Sequence, residues 1–281
     1  VVEVVEGINI FFLYFLGDGG GHLNRASLLL HYLQKKNTYL ICDNQYRVEH
    51  NKNYLSDIYN STPEDTLIVD AFPTGFFNEI NISKVKAKKI FLNRLDKSEN
   101  RKEIDFSIFG YYDFIFNIEP LNYPNYHPKT IELNRWINDT QKEKINDNFN
   151  ILIVTSVKEK DLFTELYDKL KDYNPFLLLP SKDFKSAISY IEKANIVIGS
   201  CGYNLVSEVL YCNKKFIGIP RPRSKDDQYA RINNILSEDI YKARNYKQII
   251  NILKTTNLIS KPKIINTSFK NGFNTFLNYL G

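Results

Sequence analysis

Methionine is missing altogether, even at the first position, and tryptophan occurs once in a chain of 281 residues. Cysteine is scarce too. Cys42, Cys201 and Cys212 are an odd number without metal-ligand spacing, which argues against a disulfide framework or a zinc module and suits a reducing compartment. Long apolar runs are absent as well. The longest, residues 10–16, is too short to cross a bilayer and reads as a buried strand. The opening residues VVEVVEG carry two acids and no cleavable leader pattern. The expectation is a cytoplasmic chain whose membrane contact is at most peripheral, at the inner face.

Charge of one sign is not concentrated either. The net charge of +5 is mild, and the basic residues are scattered instead of forming a stripe, which disfavours nucleic acid as a partner. What is present, 43% apolar and 25% charged residues, describes an ordinary globular protein long enough for two modest domains.

The pattern alternates strand and helix twice. Strands are expected at residues 8–16, 38–42, 66–69, 89–92 and 112–118, with a helix at 23–35. Residues 119–148 are rich in Pro, Asn and Asp and read as a connection. A second series follows, with strands at 150–155, 175–179, 196–199 and 216–219. Its helices are expected at 159–170, 182–193, 204–211, 227–236 and 247–255. The fold class is therefore α/β, with two doubly wound sheets whose ligands bind beyond the carboxyl ends of the strands. The domains are expected at 1–145 and 146–263, with 264–281 packing back on the first.

Three segments carry chemistry. The first is GDGGGHLNRA, between the first strand and the first helix. Gly20 and Gly21 let a ligand approach the backbone, and the helix start suits an anion. His22 has an ordinary pKa near 6.5, suited to a general base. The same residues also fit a plain strand-to-helix turn. The second segment is GSCGYNLVSE, where Ser200 and Gly202 leave room for a pyrophosphate at a helix start and Glu208 can accept from a ribose diol. The alternative makes Glu208 a solvated helix residue. The third, PRPRSKDDQ, offers Asp226 or Asp227 as a helix cap and Gln228 as a partner for sugar hydroxyls, while Arg221, Arg223 and Lys225 read singly as solvated charges.

In this order the segments resemble the glycosyltransferase-B (GT-B) architecture, and most closely the MurG-type family that moves a sugar from a UDP-sugar to a lipid-linked acceptor. The run Gly202-x-x-x-Val206-Ser207-Glu208 and the later Asp226-x-Gln228 carry the specific part. Val69-Asp70-Ala71-Phe72-Pro73-Thr74-Gly75 and Arg94-Leu95-Asp96 resemble relatives of the same group. The resemblance implies two Rossmann-like domains facing a cleft, with His22 as the base. It implies a donor nucleotide lined by Ser200, Gly202, Tyr203, Asn204, Glu208, Asp227 and Gln228. Gly20, Gly21, Arg25, Asp70 and Arg94 would contact substrate on the first domain.

The expected activity is metal-independent, inverting transfer from a nucleotide-diphosphate sugar, UDP-linked, to an acceptor that is lipid-linked or a glycan. The transferred group would be a hexosyl or N-acetylhexosaminyl unit. The nucleotide sugar is a substrate, and no cofactor is expected. No Asp-x-Asp arrangement lies between strands to hold a metal ion. Gly19-x-Gly21-His22-x-x-Arg25 also resembles the UDP-sugar hydrolase of pseudaminic acid biosynthesis, so water is the alternative acceptor. A non-catalytic sugar-nucleotide-binding subunit is the other alternative.

Overall fold

The computed structural model describes residues 9–17, 20–34, 37–42, 54–95, 105–119, 127–139, 142–156, 159–179, 186–235, 238–256, 269 and 271–280. The chain divides into two compact units after Asn134, inside the stretch whose composition marks it as connecting.

The first unit is built on β1 (Phe11–Phe15), β2 (Thr38–Cys42), β3 (Thr66–Asp70), β4 (Lys88–Asn93), β5 (Phe114–Asn117) and β6 (Thr130–Glu132). All are parallel, in the order β2-β1-β3-β4-β5-β6. β3 lies inside the sheet and is buried at all five positions, which is why it reads TLIVD with no polar alternation until its last residue. Helix α1 (Gly20–Tyr32) connects β1 to β2, and α2 (Tyr54–Tyr59) precedes β3. One core cluster is formed by Phe12, Tyr14, Leu67, Val69, Phe91 and Tyr112 with Ile58 of α2. The chain leaves β1 to one side for β2 and to the other for β3. The carboxyl ends of β1 and β3 therefore flank a topological switch point, where open α/β sheets place their ligands.

The second unit repeats the principle with β7 (Phe149–Val154), β8 (Pro175–Leu178), β9 (Ala194–Ser200), β10 (Lys215–Ile219) and β11 (Ile240–Lys242), ordered β11-β10-β9-β7-β8 and all parallel. Here the switch falls between β7 and β9. Its helices are α3 (Lys160–Lys169), α4 (Ile188–Lys193), α5 (Tyr203–Tyr211), α6 (Gln228–Asn233), α7 (Tyr246–Thr255) and α8 (Gly272–Leu277). Because successive strand residues face opposite ways, Ile151, Ile153, Ile196 and Ile198 meet Phe163 of α3 and Ile249 of α7. Leu152, Val154 and Val197 meet Ile191, Val206 and Ile232 on the other face.

The strands at 38–42 and 216–219 fall where the apolar runs put them, with β10 starting one residue earlier. The short strands β6 and β11 and helix α2 carry too little apolar periodicity to be expected. The first helix starts at Gly20, three residues before its periodic pattern does. Part of the helix expected at 182–193 lies outside the described residues. The helix expected in the last segment is the short α8. Asn271 caps it, accepting from Phe273 N, and exchanges hydrogen bonds with both backbone polar groups of Ile137. Phe273 and Phe276 close on Trp136 at ring distances of 5.2 and 4.7 Å. Among the described residues no helix is long and apolar enough to cross a membrane.

Trp136 is the sole tryptophan and Phe276 is fully buried against it. Phe276→Ala is expected to lower unfolding free energy by about 3–5 kcal/mol. It is also expected to shift tryptophan emission to the red. Denaturant titration followed by fluorescence reads both.

Candidate active site

In the first unit everything converges on Asp70, the last residue of β3, which is completely buried. The next residue, Ala71, takes φ 71°, a left-handed conformation uncommon outside glycine, and so turns the chain sharply away at the strand end. His22 and Arg25 lie one helical turn apart on α1, on the same face. His22 Nδ1 lies 2.7 Å from Asp70 Oδ2. Arg25 donates from Nη2 at 2.6 Å and from Nε at 3.2 Å to each carboxylate oxygen.

On the other side of the imidazole, Arg94, just beyond β4, places Nη2 3.3 Å from His22 Nε2. A carboxylate only accepts and a guanidinium only donates. The two neighbours therefore fix one tautomer, with the proton on Nδ1 donated to Asp70 and the Nε2 lone pair facing Arg94. The ring of Phe72 stacks along the imidazole at 5.9 Å. Gly17 completes the fit, since a Cβ there would stand 2.2 Å from His22 Nε2.

The electrostatics follow from burial. Burial alone would raise the Asp70 carboxyl, but the charge of Arg25 and the hydrogen bonds from His22 and Arg25 overrule it and hold it well below the carboxylate range. Burial pushes His22 below its ordinary value. Asp70 opposes this, and the positive charges of Arg94 and Arg25 reinforce it. His22 is thus a neutral imidazole whose one accepting nitrogen is Nε2.

In the second unit the loops at the carboxyl ends of β7, β9 and β10 are cross-tied by side chains. Gln228 is buried, and its Oε1 accepts from Cys201 N at 3.2 Å and Arg221 N at 3.0 Å. Both donors being backbone, the amide is oriented with Nε2 toward Gly202, the N-cap of α5. Gly202 has no side chain to cap that helix, and a Cβ placed there would meet nothing nearer than this amide nitrogen at 4.0 Å. Arg231, with no exposure at all, donates to Cys201 O at 3.0 Å and to Asp226 at 2.7 Å. Glu159 is buried ahead of α3; it accepts from Ser156 Oγ at 2.8 Å and from Arg223 at 2.7 Å, with Arg221 at 3.8 Å.

The residues singled out in the sequence fall into groups. His22, Arg25, Asp70 and Arg94 are in mutual contact, with Gly20 and Gly21 opening the helix beneath them. Gly202 and Gln228 stand together, and Ser200 and Asn204 flank them half-buried. Asp227 caps α6 by accepting from Ala230 N. Tyr203 is buried and its hydroxyl accepts from Trp136 N at 2.9 Å. Glu208 is turned inward, where Oε2 accepts from Ala187 N at the start of α4. Burial, countered by hydrogen bonds from Ala187 and Ser186, raises its carboxyl to about 7. Sequence reasoning missed Phe72, Glu159 and Arg231. A glutamate ahead of a helix or an arginine inside one looks solvated until its partner on another loop is known. Among the described residues no cluster of His, Cys, Asp and Glu could hold a metal ion.

This architecture recurs among solved structures. MurG of Acinetobacter baumannii aligns over 96% of this chain and 99% of its own, at 12% identity and TM-score 0.57. The glycosyltransferase of kitacinnamycin aligns over 90% and 92%, at 10% identity and TM-score 0.56. The spinosyn rhamnosyltransferase SpnG aligns over 97% and 100%, at 8% identity and TM-score 0.55. The fold is therefore GT-B. No curated sequence matches the chain. Residues 130–254, most of them in the second unit, match the family model of the glycosyltransferase family 28 C-terminal domain.

Two stability predictions follow from the buried charges. Asp70→Asn leaves Arg25 buried without its counter-charge and is expected to cost about 3–5 kcal/mol in denaturant titration at pH 7. Glu208 has the opposite linkage from Asp70. Its folded pKa is raised from 4.5 to about 7, so its stabilising contribution is full below pH 4.5 and is lost as pH rises to about 7. Relative to Glu208→Gln, the wild-type protein should lose roughly 2–4 kcal/mol between pH 4.5 and 8. Parallel melts across that range measure it.

Proposed function

We propose that the protein is an inverting glycosyltransferase that uses a nucleotide-diphosphate sugar, UDP-linked, without a metal ion. The observation that carries this reading is the His22–Asp70 pair, which leaves Nε2 as a lone-pair base at a switch point of the first sheet, in a chain whose residues 130–254 match the glycosyltransferase family 28 C-terminal domain. His22 Nε2 takes the proton of the acceptor hydroxyl. The acceptor oxygen bonds to the anomeric carbon as the bond to the nucleoside diphosphate breaks, and the diphosphate leaves with the electron pair. Arg94 must yield the Nε2 lone pair when the acceptor hydroxyl arrives.

The donor's diphosphate fits the uncapped start of α5 at Gly202, where backbone N–H groups and the helix dipole favour an anion. Arg221 and Arg223, whose side chains meet Glu159 and whose loop Gln228 ties to Cys201, supply the positive charge that a metal ion would otherwise bring to the leaving group. The Gln228 Nε2 donor is left for a sugar hydroxyl or a phosphate oxygen.

Calorimetry with UDP, GDP, CDP and dTDP, then with their sugars, tests the donor assignment. No binding to any of them would sink it. Bound sugar nucleotide that steadily releases diphosphate without an added acceptor would make water the acceptor and the protein a hydrolase. Product anomer analysis by NMR decides inversion.

With a competent acceptor, His22→Ala is expected to lower kcat by roughly 10²–10⁴-fold, with the nucleotide Kd unchanged. The acid limb of the kcat/KM profile should lie below the ordinary histidine value, because burial and Arg94 depress His22. Arg94→Gln removes one of those charges and should move that limb to higher pH.

A further inference from the structure

The loop that leaves β3 carries an arrangement that proton transfer at His22 does not need. From the imidazole, three aromatic rings follow one another outward. Phe72 lies 5.9 Å from His22, Phe76 lies edge-on to Phe72 at 5.1 Å, and Phe77 lies edge-on to Phe76 at 4.9 Å. Exposure rises along the row from the buried Phe72 to Phe77, which at 72% is the most exposed large hydrophobic among the described residues.

An exposed phenylalanine on a loose loop tip would mean little. This one is held by a polar frame rooted in the core. Glu79 Oε1 accepts from the hydroxyls of Tyr14 of β1 and Tyr54 of α2, and its Oε2 accepts from Phe77 N at 2.9 Å. The Tyr14 hydroxyl in turn accepts from Phe76 N at 2.9 Å. Tyr59 of α2 donates to Glu79 O and accepts from Asn81 N, which fixes the far end of the loop. Gly75 takes φ 85°, and a Cβ there would stand 2.4 Å from the Glu79 carboxylate. The backbone of Phe76 is thus fixed by the buried Tyr14 hydroxyl, and that of Phe77 by the Glu79 carboxylate. Their ordering cost is met before any ligand arrives, as in a preorganised binding site.

The chemistry of the strip selects its occupant. Each ring in it contacts the next, and polar groups border it. Thr74 donates to Asn78 Oδ1 at 2.7 Å, which leaves the Asn78 Nδ2 donor beside Phe77, and the Arg94 guanidinium lies at the inner end. An acyl chain or a membrane surface calls for a broad continuous apolar patch. A pyranose ring offers a C–H face for an aromatic ring and a rim of hydroxyls for amide and guanidinium donors.

We infer that Phe76 and Phe77 form the acceptor subsite, and that the acceptor is an oligosaccharide. A distal sugar ring stacks on Phe77 while the ring carrying the reacting hydroxyl reaches His22 Nε2. Three ring-to-ring steps separate His22 from Phe77, so an oligosaccharide engages both ends where a monosaccharide engages one. This inference rests on the glycosyl-transfer reading above.

A Phe77→Trp variant adds an exposed reporter to a protein whose only other tryptophan, Trp136, is buried. Its emission is titrated with maltotriose, cellotriose and triacetylchitotriose, with the matching monosaccharides, and with phosphatidylcholine/phosphatidylglycerol vesicles. At least one trisaccharide should produce a saturable blue shift, bind about tenfold or more tighter than its monosaccharide, and bind wild-type protein in saturation-transfer NMR. Phe77→Ala should weaken that binding about tenfold with an unchanged melting temperature, and Phe77→Tyr should restore it.

Saturation by none of the trisaccharides would overturn the assignment, as would a shift with vesicles alone or undiminished binding by Phe77→Ala. Calorimetry with UDP, GDP and dTDP on the same samples separates the two readings. Nucleotide binding without trisaccharide binding overturns the oligosaccharide subsite alone. Trisaccharide binding with no nucleotide binding overturns the transferase reading, and the acceptor role with it.

Discussion

A carboxylate with no solvent exposure sits at the end of β3, and the first unit's site is organised around neutralising it. Desolvating Asp70 is costly unless a counter-charge and hydrogen bonds replace water. Arg25 supplies the charge through three contacts. Because Arg25 and His22 share a face of α1, satisfying Asp70 also sets the rotation of that helix and brings the imidazole to the strand end. The left-handed Ala71 and the bare backbone of Gly17 are the local accommodations that let the carboxylate and the ring come together. One ion pair therefore determines the helix register, the imidazole tautomer and the direction of the free lone pair. Remove the charge and all three lose their cause together.

The second unit reaches a similar end by different means. At the mouth between β7 and β9 no single charge dominates. An amide, a guanidinium and a carboxylate each bridge two loops: Gln228 ties Cys201 to Arg221, Arg231 ties Cys201 to Asp226, and Glu159 ties Ser156 to Arg223. Half of these bonds end on backbone atoms, so they hold loop shape as well as side chains. The start of α5 is left open in the midst of them because Gly202 contributes nothing to fill it. A rigid rim around an uncapped helix start is a suitable receptacle for a bulky dianion, since the loops need not reorganise to meet it.

How far the sequence disclosed this depended on range. Strands whose neighbours are covered on both faces, such as TLIVD and IVIGS, announce themselves as apolar runs, and the parallel class follows from their alternation with helices. β6 and β11 are half-exposed three-residue edges with no pattern to read. GDGGGHLNRA marked His22 and Arg25 at once because helix and turn signals are local. Asp70 was visible as a strand-end acid, but its partners lie 45 and 48 residues away, so its fixing of the imidazole had no local signature. Glu208 shows the opposite case. Its place in a family-like run suggested a hand for a ribose, whereas the fold turns it inward onto Ala187 N. A helix position reads the same from sequence whether its face meets solvent or a neighbouring helix.

The aromatic loop exposes the limit of reading residues one by one. VDAFPTG carries a likeness to relatives, whereas Phe76, Phe77 and Glu79 beyond it carry no local signature. Yet Glu79 organises the loop as Asp70 organises the helix: a carboxylate drawn inward, paid with hydroxyls and N–H groups instead of a guanidinium. The difference in partners matters. Arg25 holds Asp70 ionised and fixes a proton's position, as proton transfer requires. Two tyrosines and a backbone N–H hold Glu79 where a guanidinium holds Asp70. Neighbouring segments of one unit thus use inward-turned carboxylates to different ends, one buried to place a base and the other half-buried to hold a loop.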